Sequence, residues 1–156
     1  MNKLIAIIVL IFGITLQARE KPYISSFHIG AVNNNDGYIG TIGVSKQYIF
    51  KDFMIGMDLN VMTLGQESFK DVSAIHLTPK LGMIFIGDDK SDFYTSIYVN
   101  SGISSIRVSN SNALGYAGGI GLETRYLNYG LNIGYLTNIS KVINFEGVFI
   151  GLNYWL

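Results

Sequence analysis

The chain has 156 residues, with 18 glycines, no cysteine, and 11 Lys and Arg that balance 11 Asp and Glu. Zero net charge leaves no basic footprint for nucleic acid, and the lack of cysteine leaves no disulfide framework. Only 14% of residues are charged, against roughly 25% in an ordinary soluble domain.

The N-terminus reads "MNKLIAIIVLIFGITLQARE". Lys3 precedes an apolar run from Leu4 to Leu16, followed by Leu16-Gln17-Ala18 with a small residue at the cleavage position. This pattern predicts a secretory signal peptide over 1–18. The run is shorter than the ~20 residues that span a bilayer as a helix. A single domain over 19–156 would remain, with no metal, cofactor or second domain expected.

From there the chain alternates large and small residues with a period of two, the mark of strands with two different faces. The first segments are 23–32 and 38–50. In the third, Phe53, Ile55, Met57, Leu59 and Val61 share one face, while Met54, Gly56, Asp58 and Asn60 share the other. In the fourth, Ile75, Leu77, Pro79, Leu81, Met83 and Phe85 oppose His76, Thr78, Lys80 and Gly82. A fifth runs through 92–107. In the sixth, Leu114, Tyr116, Ile120, Leu122 and Tyr126 oppose Gly115, Ala117, Gly119, Gly121, Glu123 and Arg125. Segments 129–137 and 145–156 complete eight. Polar or longer connections at 33–37, 63–72, 109–113 and 137–144 alternate with short ones at 51–52, 87–91 and near Asn128. An antiparallel up-and-down meander accounts for that alternation.

Eight such strands can close with the apolar face inward, as in a soluble lipocalin-like barrel, or outward to lipid. The small face decides between them. Glycine offers water nothing and suits a crowded interior, and eight strands leave room only for side chains. The bulky face has too much volume for that interior but suits an apolar band about 25 Å tall. Aromatics near segment ends, among them Tyr38, Tyr48, Phe50, Phe53, Phe85, Phe93, Tyr126, Tyr129, Tyr135 and Tyr154, fit interfacial girdles. The expected fold is therefore an all-β, eight-stranded antiparallel transmembrane β-barrel.

With "GYAGGIGLETRYLNYGLNIGYL" and the final "GVFIGLNYWL", the chain resembles the small eight-stranded outer-membrane barrels of Gram-negative bacteria, the OmpA/OmpX-type superfamily. The resemblance implies export to the cell outer membrane and contact there with its lipids. It also implies a last strand that doubles as a signal for the outer-membrane assembly machinery. Gly151, Tyr154 and Leu156 match that signal's glycine and its two hydrophobic positions. Phe149 stands where the signal usually has a polar residue, and Leu156 where it usually ends in an aromatic.

By parity, an interior polar network would comprise Asp58, His76, Lys80, Asn100, Glu123, Arg125 and Asn132, with His28, Asn60 and Asn153 facing the same way. Glu123 and Arg125, two residues apart on one face, are the expected ion pair. The turn near Asn128 is expected to set Arg125 opposite Asn132 and Asn100 near Glu123. The network reads as lumen filling rather than a proton relay. Barrel enzymes of this type act on lipids through a His/Ser pair. Neither His28 nor His76 has a serine two residues later or lies on the lipid face, so no enzyme is expected. The preferred function is a non-catalytic, monomeric envelope barrel with a structural or surface-interaction role. Loops 63–72 and 137–144 are its candidate surface for an extracellular ligand. A narrow pore and a lipid-modifying enzyme are the alternatives.

Overall fold

The computed structural model describes residues 23–34, 37–66, 69–88 and 92–156. The expected signal peptide lies outside them, as do parts of loops 33–37, 63–72 and 87–91. The strands are β1 (Tyr23–Asn34), β2 (Gly37–Phe50), β3 (Phe53–Thr63), β4 (Val72–Gly87), β5 (Phe93–Val108), β6 (Ser111–Tyr126), β7 (Tyr129–Ser140) and β8 (Phe145–Trp155). Each pairs antiparallel with its neighbour, and β8 pairs with β1 to close the barrel.

The registers fix the barrel's dimensions. From Phe93 the direct partners run through Tyr126, Tyr129, Tyr154, Phe27, Val44, Leu59 and Leu77, and return to β5 at Ile103, ten residues further along. Eight strands with a stagger of ten give a tilt of about 40° and a backbone radius of about 8 Å. That width admits side chains and little else. A strand of 11 residues at this tilt rises about 28 Å, enough to carry an apolar band across a bilayer.

The outer face is the apolar one. Phe53, Ile55, Leu81, Ile103, Ile120, Ile150 and Leu152 are all exposed. About half of the buried set is polar, including Gln47, His76, Lys80, Ser96, Glu123 and Asn138. This inversion of the usual soluble arrangement settles the choice between the two closures left open by the alternation. At the end carrying turns 51–52 and 127–128, Phe50, Phe53, Phe85, Phe93, Tyr126, Tyr129 and Tyr154 all face outward. Tyr129 and Tyr154 meet edge to face at 5.4 Å.

Two connections are tighter than their composition suggests. Residues 111–113, read as loop, belong to β6, and only Ser109 and Asn110 turn the chain. Polar side chains cost a strand nothing where it projects beyond an apolar band, so polarity there did not mark a loop. The turn Leu127-Asn128 pairs Arg125 with Gly130 and Glu123 with Asn132, which corrects the expected Arg125–Asn132 pairing by two residues. Lys51, Ser109 and Leu127 each open a two-residue turn with left-handed φ of 54°, 52° and 53°.

Candidate functional site

Inside the barrel three layers stack along the axis. At the end bearing residues 64–71 and 141–144, an apolar plug gathers Ile39, Met62, Phe69, Val72, Ile106 and Phe145. Phe69 comes from the loop and packs edge-on against Phe145 at 5.7 Å. At the opposite end Ile49, Met54, Ile84, Tyr94 and Tyr98 cluster, and Tyr94 meets Trp155 at 6.4 Å. The polar layer lies between them.

Its centre is an ion pair. Lys80 Nζ of β4 donates to Glu123 Oε2 of β6 at 2.7 Å, both side chains 1% exposed. The two strands are separated by β5, so the bridge crosses the inner face of that strand. Lys80 Nζ also stands 4.2 Å from the centroid of the Tyr98 ring. Gln47 Nε2 lies 3.4 Å from both carboxylate oxygens of Glu123, and Asn153 Nδ2 lies 3.4 Å from Oε2. Tyr98 OH donates to Asn132 Oδ1 at 2.7 Å. Asp58 and Asn100 line the same cavity.

The structure thus brings together Asp58, Lys80, Asn100, Glu123 and Asn132, and it separates two other predicted members. Arg125 is not the partner of Glu123. Its Nε donates to the carbonyl of Leu127 at 2.7 Å, and its guanidinium lies 5.6 Å from the Trp155 ring. Arg125 sits at the barrel mouth, where turning toward its own hairpin carbonyl avoids burying a second cation. Asn100 pairs in register with Lys80 and Gly119, while Ser96 is the β5 residue opposite Glu123. His76 stacks on Phe145 in the plug layer. His28 Nε2 bonds Asn60 Oδ1 instead, and among the described residues no group of three or more acidic or histidine side chains is placed to hold a metal. Gln47 and Tyr98 were missed, although the parity that selected Asn100 also turns Tyr98 inward.

The inner glycines have a specific use. A Cβ on Gly121 would lie 2.6 Å from Tyr98 OH, and one on Gly134 3.3 Å from it. A Cβ on Gly151 would lie 2.6 Å from the Phe149 ring, and one on Gly30 2.7 Å. The hydroxyl end of Tyr98 lies against Gly121 of the neighbouring strand, and the Phe149 ring lies against Gly151 of its own strand and Gly30 of neighbouring β1. This accounts for Phe149 at a position where a polar residue was expected: Gly30 and Gly151 leave room for its ring. Gly121→Val should therefore cost about 2 kcal/mol by forcing Tyr98 off Asn132. Urea titration of the barrel in micelles checks this, and wild-type stability would show that Tyr98 has slack.

The polar layer encloses a cavity of about 30 Å³, room for about two water molecules.

No family model matches the chain, and no curated protein matches it in sequence. Solved structures do match it in fold. The N-terminal β-barrel domain of Pseudomonas aeruginosa OprF is similar with a TM-score of 0.58 at 10% identity, over 88% of this chain and 100% of that one. The outer membrane enzyme PagL gives 0.59 at 13% identity, over 84% and 98%. Neisserial surface protein A gives 0.54 at 15% identity, over 85% and 95%. At such identities the likeness is one of fold: the chain has the architecture of the small eight-stranded outer-membrane barrels.

Proposed function

We propose that this protein is a non-catalytic, integral outer-membrane barrel that stiffens the envelope and presents a small outer surface, without conducting solutes. The observation that carries this reading is the inversion of polarity around a plugged lumen. An apolar exterior calls for lipid as solvent. Two apolar layers and a cavity of about 30 Å³ leave no continuous aqueous path through the described interior. Both histidines are buried on the lumen side, His28 at 7% exposure and His76 at 1%, away from any lipid substrate. Phe69 is buried in the plug, and among the described residues beside it Leu64, Gln66, Lys70 and Asp71 are exposed. Ser140 and Asn144 tie the 141–144 turn to itself through bonds of 2.7 and 2.8 Å. Ligand contact through these loops would therefore use a small, preformed cap.

The protein should stay in the outer-membrane fraction through carbonate or urea washing and should migrate differently on gels before and after boiling. Recovery as a soluble monomer would overturn the reading, and steady conductance in planar bilayers would overturn its non-conducting part. Topology is tested separately. A cysteine at Asn110 should label in intact cells with an impermeant maleimide, and one at Lys51 should not. The reverse pattern would invert the orientation.

A further inference from the structure

We propose that the outer wall formed by β2 to β5 holds one glycerophospholipid at the short-turn end, its acyl chain in a fixed groove and its zwitterionic headgroup at Lys51 and Asp52. The proposal rests on the membrane reading above and goes beyond it, since a barrel can sit in a bilayer with no preferred lipid.

A convex wall gives an acyl chain only passing contact. Here the wall carries a shallow, open depression of about 560 Å³. Phe50, Phe53, Ile55, Leu81, Met83 and Ile97 line it. It crosses four strands, about 14 Å, so a chain lying in it touches side chains of all four. An irregularity follows Met83, the last β4 residue to line the groove. The β4–β5 register shifts between Ile84 and Ile86, which leaves Phe85 and Ile86 both exposed. Such a bulge bends its strand and sharpens the local twist.

The polar end of the site is fixed by the turn between β2 and β3. The amide of Ile84 donates to the carbonyl of Asp52 at 2.7 Å, pinning that turn onto β4 beside the groove. The Lys51 ammonium lies 5.8 Å from the centroid of Phe50, a groove-lining ring. Lys51 and Asp52 are both exposed. An adjacent cation and anion at the mouth of an apolar groove match a phosphate followed by a primary ammonium. An anionic headgroup without an amine would satisfy Lys51 and face Asp52 unpaired.

The test refolds the chain into bicelles containing equal phosphatidylethanolamine, phosphatidylglycerol and phosphatidylcholine, then transfers it to detergent and counts retained lipids by native mass spectrometry. Wild type should retain one phosphatidylethanolamine. Ile97→Trp should reduce retention about tenfold, because the indole fills the groove while remaining compatible with lipid, and its heat-modifiable gel shift should persist. Lys51→Glu should abolish the headgroup preference, and Lys51→Asp combined with Asp52→Lys should restore it. Retention of no lipid, equal retention of all three classes, or unchanged retention by Ile97→Trp would overturn the proposal. Failure of the membrane reading looks different: the chain would remain in the aqueous phase without inserting, which overturns both.

Discussion

Lys80→Met should destabilise the barrel by about 3–5 kcal/mol, because it strands the Glu123 carboxylate in a layer sealed from both ends. The neutral donors nearest Glu123, on Gln47 and Asn153, stand at 3.4 Å and are too distant to replace an ammonium at 2.7 Å. The double variant Lys80→Met with Glu123→Leu should recover most of the loss, since an apolar pair of similar volume removes the charge along with its partner. Arg125→Ala should cost below about 1 kcal/mol, because its bond to the Leu127 carbonyl lies at the barrel mouth. Urea unfolding in micelles, followed by tryptophan fluorescence, ranks the three. If Lys80→Met matches wild type, water reaches Glu123 and the layer is not sealed. If Arg125→Ala is the most harmful, the charge pairing in solution is the one that sequence parity suggested.

Removal of Tyr154, Trp155 and Leu156 should abolish assembly. Trp155 pairs with Ser26 and Tyr154 with both Phe27 and Tyr129. The amide of Trp155 donates to Asn128 and that of Leu156 to Ser25, at 2.7 and 2.9 Å. Losing about 10 Å of strand opens β1 at the membrane edge, where each unpaired amide costs several kcal/mol. The same deletion removes Trp155, 1% exposed, from the inner plug, and it removes both hydrophobic positions of the proposed assembly signal. The truncated chain should be exported but recovered as degraded or aggregated periplasmic material with no heat-modifiable band. Tyr154→Asn should approach that phenotype, since Tyr154 faces lipid. Trp155→Phe should be mild, since its site needs bulk against Tyr94. Normal assembly of the truncated chain would show that these residues neither signal nor close the barrel.

Most of the strand layout was legible because a closed barrel imposes one rule on every residue. Alternation placed the third strand at 53–61, and the observed β3 is Phe53–Thr63. Where the rule relaxes, legibility fails. Ser111 and Asn112 pair as strand although their side chains look like loop, since backbone pairing beyond an apolar band needs no apolar face. For the polar network, parity identified which side chains turn inward but not which meet. Glu123 and Arg125 are neighbours along a strand, whereas Glu123 and Lys80 meet across β5, through the β4–β5 and β5–β6 registers together. Those registers are set between strands, and no alternation pattern within one strand encodes them. The glycines were readable as smallness, yet which aromatic uses each bare site follows from the register of the neighbouring strand.

The ten-residue stagger makes the lumen a gauge of correct closure. A slip of one residue at the β1–β8 seam would turn an entire strand inside out, so the smallest error that keeps lipid-facing residues outside is a slip of two. Such a slip changes the radius, and with it the cross-section of the interior, by about 15% in area. The smaller barrel would crowd the Tyr98 and Phe149 rings, and the larger would leave Trp155 and Tyr94 apart and the Lys80–Glu123 bridge stretched. Side chains that touch no lipid thereby measure the circumference, and a misjoined barrel forfeits their contacts.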